Sequence, residues 1–134
     1  MVIDTSALLA ILQDEPERRR FNEAIEAAGP CVVSVATLLE TSLVLESRYG
    51  LEGARDLDLF VEKAAIELVP VDAEQVAVAR RAFSRYGKGR HAAGLNYGDL
   101  FSYALAVVRN DELLFKGGDF SLTDVLPAAA MQEG

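Results

Sequence analysis

The 134-residue sequence holds a single cysteine and a single histidine. That scarcity excludes the Cys/His ligand sets of a structural zinc site. Cys31 has no second cysteine with which to form an internal disulfide, which fits a reducing compartment. No apolar run approaches the about 18 residues that a membrane-spanning helix requires. Met1 leads straight into an apolar stretch, with no basic n-region or h-region before it, so the expectation is a cytoplasmic protein without an export signal. Basic residues are also in deficit, 13 against 21 acidic ones, for a net charge of −8. Such a balance argues against a nucleic-acid binder that works by bulk charge. Repeats, low-complexity segments and linkers are all missing, so residues 1–134 read as one domain.

The remaining composition is that of an ordered globular chain: 51% hydrophobic and 25% charged. A chain of this length can bury roughly two thirds of its unfolded surface. The organising stretch is Met1 to Leu9. Met1-Val2-Ile3 reads as a short buried strand, Asp4-Thr5-Ser6 ends it, and Ala7 to Leu12 continues as a helix. Further along, Glu17 to Ala28 predicts a second helix, Cys31-Val32-Val33 a second strand, and Val35 to Arg48 a helix that Ser34 can cap. Leu51 to Ala65 predicts a fourth helix and Ile66 to Val71 a third strand. Asp72-Ala73-Glu74-Gln75 resembles a capping box for a helix ending near Tyr86. A glycine-rich loop from Gly87 to Gly94 leads into an apolar helix over Leu95 to Val108. Glu112 to Phe115 predicts the fourth strand, followed by a short extended segment and a tail. The alternation favours an α/β fold, a mainly parallel sheet of four to five strands between helical layers.

In a parallel sheet all strand ends point one way, and ligands bind in the crevice beyond the carboxyl ends. Asp4 follows the first strand and Asp119 the fourth; Asp99 lies in the first turn of the apolar helix, and Glu40 inside the third helix. Each has a local role open to it: capping for Asp4 and Asp99, a turn for Asp119, a solvated face for Glu40. Four carboxylates at one edge repel one another unless a cation neutralises them, and hard oxygen donors suit magnesium, with manganese as the alternative. The basic residues are clustered: Arg80, Arg81, Arg85, Lys88 and Arg90, then His91, fall within twelve positions. That cluster reads either as a phosphate-binding surface or as a solvated helix face.

The ordered set Val2-Ile3-Asp4-Thr5-Ser6-Ala7, Glu40, Arg90 to Asp99 and Leu113 to Phe120 resembles the PIN-domain ribonucleases, and more narrowly the VapC toxins of type II toxin-antitoxin pairs. The likeness runs over nearly the whole chain. It departs at Gly118, where a polar residue is frequent, and at Ala92, where proline is frequent; neither change removes an acid. The resemblance implies a PIN-like three-layer α/β/α domain and a metal-dependent endoribonuclease toxin acting on structured RNA, either tRNA or rRNA. It matches Asp4, Glu40, Asp99 and Asp119 to the acidic quartet, with Asp4 and Asp99 coordinating Mg2+ or Mn2+ and Glu40 and Asp119 binding a second ion or the waters around it. Thr5, Ser6 and Asn96 become groups that orient a carboxylate, and Arg85, Lys88 and Arg90 the RNA-binding set. The implied partners are a VapB-type antitoxin, which alone would touch operator DNA, and a second copy in a homodimer. Apolar residues between Val35 and Ala65, including Val44, Leu57 and Phe60, are numerous enough to supply both a core and an exposed patch. Two other readings stand beside this one. A catalytically silent PIN-like protein could bind RNA or antitoxin without cutting, although such forms typically lose acids. A haloacid dehalogenase-like phosphatase would usually carry a second acid two residues after the first, where this chain has Ser6.

Overall fold

The computed structural model describes residues 1–132. Four short strands form one parallel sheet: β1 (Val2–Ile3), β2 (Val32–Ser34), β3 (Glu67–Val69) and β4 (Leu113–Leu114), in the order β3-β2-β1-β4. Six helices connect and cover them: α1 (Thr5–Leu12), α2 (Arg18–Ala28), α3 (Val35–Tyr49), α4 (Leu51–Lys63), α5 (Ala73–Tyr86) and α6 (Tyr97–Arg109). Two 3-10 turns, Phe120–Leu122 and Ala129–Gln132, follow the last strand.

The strands β1, β2 and β4 are buried on both faces because both are covered, whereas the edge strand β3 is largely exposed. Successive side chains on a strand point to opposite sides. Ile3, Val33 and Leu114 enter a core shared with Leu8 of α1, Phe21 of α2, Leu45 of α3 and Leu57 of α4. Their neighbours Val2, Val32 and Leu113 enter a second core with Tyr86 of α5 and Tyr103 and Leu105 of α6. Phe21 and Phe115 are fully buried, each contributing about 2–3 kcal/mol of transfer free energy. Continuous apolar dipeptides in place of polar alternation are what a doubly covered parallel sheet demands.

Capping chemistry moves several helix boundaries from their expected places. Asp4 caps α1, its carboxylate accepting the Ser6 N–H, so the helix starts at Thr5 and not Ala7. Asn96 likewise starts α6 at Tyr97 and not Leu95. At α5 the Asp72 carboxylate accepts the Gln75 N–H, but Gln75 Nε2 donates to the Pro70 carbonyl, so only half of the expected box forms. The third strand ends at Val69, ahead of Pro70, which has no N–H to continue a ladder. After β4 two 3-10 turns flank the expected short extended segment, which makes a single parallel bridge, Leu113 to Pro127, along the free side of β4. There Leu113 N–H donates to the Leu126 carbonyl at 2.8 Å and Ala128 N–H to the Leu113 carbonyl at 2.9 Å.

Of the apolar residues between Val35 and Ala65, Leu57 is wholly core and Phe60 packs half-buried against it. The large exposed ones are Val35, Leu39, Leu43, Tyr49, Leu51 and Leu59, and Val44 is half-buried. The strand order reverses at β1: successive strands step from β1 to β2 and β3 on one side, then return to place β4 on the other. A crevice forms at such a switch point beyond the strand ends. There the chain carries Asp4 after β1 and the Lys116–Asp119 turn after β4. Lys116 N–H donates to Ser6 Oγ at 2.9 Å and so ties the two exits together.

Candidate functional site

Asp4 is 3% exposed, and a buried carboxylate must have its lone pairs met. Ser102 Oγ donates to Oδ1 at 2.6 Å, while the Ser6 N–H and Ser6 Oγ donate to Oδ2 at 3.0 and 2.7 Å. These charge-assisted bonds fix the carboxylate's orientation. Thr37 Oγ1 lies 3.2 Å from Ser102 Oγ. The Ser102 hydroxyl proton is committed to Asp4, so Thr37 is the donor, and the hydroxyls align Thr37 to Ser102 to Asp4.

Glu40 is held by the residue after Asp4. Thr5 Oγ1 donates to Glu40 Oε1 at 2.8 Å, and Thr41 Oγ1 stands 3.0 Å from Thr5 Oγ1 and 2.8 Å from the Thr37 carbonyl. Glu40 therefore turns toward the strand edge and does not run free into solvent. Gly98 makes this fit: a Cβ there would collide with Glu40 Oε2. The first turn of α6 thus closes directly over the Glu40 carboxylate.

Asp99 forms a reciprocal capping box with Asn96: each backbone N–H donates to the other's side-chain oxygen at 3.0 Å. The carboxyl is pushed up to about 6, first by burial and then by the negative charges of Asp4, Asp119 and Glu40, against the lowering effect of the Asn96 N–H. Four acids from strand ends and helices therefore share one electrostatic neighbourhood. Asp119 differs from the others in being exposed, at the start of the turn Phe120–Leu122. Among the described residues no three Asp, Glu, His or Cys side chains lie close enough to hold one ion between them. The expected convergence of four carboxylates is thus a shared edge and not a closed cage.

The donor set still suits a hard divalent cation. Magnesium keeps several waters and uses one or two carboxylates, leaving other positions for substrate oxygens. The Asp99 carboxyl is raised first by burial and only then by the negative charges of Asp4, Asp119 and Glu40, charges that a cation would offset. Asp4 and Asp99, both partly withdrawn from water and each fixed by backbone or hydroxyl donors, are the carboxylates that would hold such an ion.

The basic cluster lies apart from these acids in its contacts. Arg85 is exposed, 3.7 Å from Asp124 and stacked 4.8 Å over the Tyr86 ring. Arg90 lies 5.3 Å over the Phe83 ring, and Lys88 is exposed. Tyr103, whose phenol burial and Asp124 push upward, donates its hydroxyl to that same Asp124. His91 Nδ1 accepts the Ala93 N–H at 3.0 Å and its ring meets Tyr86 edge-on, so it serves the loop's conformation. Ser102, Thr37 and Thr41 are the polar residues that sequence reasoning missed. A signal for them exists: Ser102 falls three residues after Asp99, on the same helical face, and Thr37 and Thr41 are four apart on α3.

The family model described as the PIN domain matches residues 1–126. Ribonuclease VapC of Mycolicibacterium smegmatis is 57% identical over 125 residues, covering 93% of this chain and 97% of that protein. Ribonuclease VapC30 of Mycobacterium tuberculosis is 55% identical over 129 residues, covering 96% and 98%. The chain belongs to the PIN-domain family, among the VapC ribonucleases. Two solved structures share the fold of this VapC-type chain. Mycobacterium tuberculosis VapC20, a sarcin-ricin loop cleaving toxin, superposes with TM-score 0.74 at 19% identity over 93% of this chain and 95% of its own. VapBC2 of Rickettsia felis, bound to a promoter DNA fragment, gives 0.76 at 15% identity over 94% of each. The chain shares with both a parallel α/β/α core. No described helix is long and apolar enough to cross a membrane.

Proposed function

We propose that this ribonuclease is a divalent-metal-dependent enzyme that hydrolyses a phosphodiester in structured RNA, transfer or ribosomal, in the cytoplasm, and that a VapB-type antitoxin silences it. The observation carrying this reading is geometric: α6, whose first turn bears Asp99, meets the buried Asp4 carboxylate through Ser102 and closes over the Thr5-held Glu40 carboxylate at Gly98. Asp4 and Asp99 hold the ion, magnesium or manganese. When bound, it supplies water activation and neutralises charge on the phosphate and the leaving oxygen.

The chain's own groups do the rest. Ser6 and Ser102 keep both oxygens of Asp4 oriented and spare the carboxylate the cost of an unpaired burial. Asn96 fixes Asp99 through its N–H. Thr5 aims Glu40 toward the same edge, where Glu40 and Asp119 can accept protons from waters at the site or help retain a second ion. Arg85, Lys88 and Arg90 attract the phosphate backbone locally on a molecule whose overall charge repels it. The solved VapBC complex of similar fold supports an antitoxin partner of the same kind. The exposed leucines of α3 and α4 offer apolar surface for that partner or for a second copy.

The test is cleavage of purified transfer and ribosomal RNAs with magnesium or manganese, comparing wild type, Asp99→Asn and wild type with chelator. Discrete products that require both metal and Asp99 are expected. Cleavage indifferent to chelator and to Asp99→Asn would overturn the assignment of the site.

A further inference from the structure

Ser6 gives its hydroxyl proton to Asp4 Oδ2 at 2.7 Å. A hydroxyl has a single proton and two lone pairs, and it rotates to suit its partners. Here the Lys116 N–H donates to Ser6 Oγ at 2.9 Å, which leaves the hydroxyl proton aimed at the carboxylate. The orientation of the buried Asp4 therefore depends on where the backbone of Lys116 stands.

Beyond the buried Phe115 the chain has few side chains with which to anchor that backbone. Gly117 and Gly118 follow Lys116, both exposed, and a Cβ at either would meet nothing within 4 Å. The Lys116 side chain supplies the anchor. Its ammonium donates to Glu15 Oε1 at 2.5 Å and lies 3.4 Å from Glu17 Oε1, both in the loop between α1 and α2. The hydrogen bond to Glu15 raises the ammonium above its ordinary value, so the clamp keeps its charge. Glu15 is itself fixed: Gln13 Nε2 donates to its Oε2 at 3.3 Å. Arg48 and the Tyr49 hydroxyl, at the end of α3, in turn donate to Gln13 Oε1 at 2.5 and 3.2 Å.

We infer that Lys116 is a positioning residue for the cleavage site: clamped by Glu15 and Glu17, it holds its own backbone N–H on Ser6 and so aims the Ser6 proton at Asp4. The inference rests on the metal-dependent ribonuclease reading and adds to its machinery a residue outside the four acids. It runs against simple electrostatics. A cation near a metal site repels the incoming ion, so by charge alone removing Lys116 would tighten metal binding. By positioning it loosens binding, because the groups that orient a ligating carboxylate tune its affinity. The two effects have opposite signs.

Manganese binding is measured by titration calorimetry for wild type, Lys116→Met, Lys116→Arg, Ser6→Ala and the Ser6→Ala/Lys116→Met double variant, with thermal unfolding of each. Lys116→Met should bind manganese about tenfold more weakly than wild type. Its melting temperature should hardly move, since ion pairs this exposed contribute little to stability. Lys116→Arg should restore most of the affinity, because a guanidinium still pairs with carboxylates. On the Ser6→Ala background Lys116→Met should add no further loss, the path through Ser6 being already cut. Manganese affinity unchanged or tightened by Lys116→Met would overturn the inference, as would a full further loss on the Ser6→Ala background. Wild type that binds manganese and cleaves RNA with it, beside an unaffected Lys116→Met, would sink the positioning alone. Wild type whose cleavage ignores manganese and chelator would sink the metal-dependent reading, and the inference with it.

Discussion

A single hydroxyl in an otherwise apolar stretch of α6 holds the buried Asp4 carboxylate. Replacing Ser102 with alanine leaves Asp4 Oδ1 without its 2.6 Å donor and Thr37 without its acceptor. The expected cost is about 1–3 kcal/mol of stability, read by denaturant unfolding. Affinity for manganese, followed by titration calorimetry, should fall by about 10–100-fold. At Asp99 the direction of the proton linkage is fixed by the raised carboxyl. The folded chain keeps this proton up to about pH 6, whereas the unfolded chain releases it near the ordinary 3.8. Between those values the folded state binds more protons, so metal-free protein gains stability as pH falls from about 6 toward 4. Denaturant unfolding of wild type and Asp99→Asn across that window should show wild type gaining on the variant as pH falls. A wild type that loses ground there would reverse the sign, and saturating metal should suppress the pH dependence. None of this is visible from the acids alone, because burial, the largest cause of the shift, belongs to the packed helices and not to the spacing of four residues.

At the level of the elements, two glycines show that helix packing divides into site and scaffold. In α6, Gly98→Ala pushes a methyl into the Glu40 carboxylate. A flexible side chain can retreat, so stability should change by less than about 1 kcal/mol. Displacing Glu40 from Thr5 should nevertheless lower cleavage by about a hundredfold. In α4, a Cβ at Gly53 would sit 2.6 Å from the Leu45 carbonyl oxygen, where only backbone can yield. Gly53→Ala should therefore cost about 1–3 kcal/mol in thermal unfolding and leave cleavage below the transition intact. Helix and strand order is readable from apolar periodicity, and Asp4 shows why the boundaries are harder. By sequence its carboxylate is either a cap or a ligand; in the fold it accepts the Ser6 N–H while facing the strand-end crevice, and its two oxygens serve both ends. Gly98 and the threonines of α3 escape notice because their meaning depends on α3 meeting α6, a packing without local signature.

For the molecule as a whole, the charge distribution sets how RNA is approached. With a net charge of −8, the proposed RNA attachment would depend on the few cations near α5 and its following loop. Neutralising Arg85, Lys88 and Arg90 together should weaken RNA binding and flatten its dependence on log salt, by about 1 unit for each phosphate left without its cation. Arg85 should contribute the least, since Asp124 already attends it. An unchanged salt slope would return the cluster to a solvated helix face. The layered architecture is legible because doubly covered strands leave continuous apolar dipeptides such as Val2-Ile3 and Leu113-Leu114. The bridge from Leu113 to Pro127 is not legible, since a single pair of backbone bonds imposes no pattern on side chains.

That bridge has a consequence for how the protein survives at high concentration. Lateral growth of one sheet onto another needs a long, flat, unoccupied border. On the β4 side residues 126–128 already occupy the backbone groups of Leu113. On the other side β3 presents only Glu67–Val69, begins with an exposed acid and is cut short by Pro70. Neither border offers the length that templating a fibril needs, so the chain should refold from denaturant at high concentration without forming ordered aggregates, checked by dye binding and light scattering.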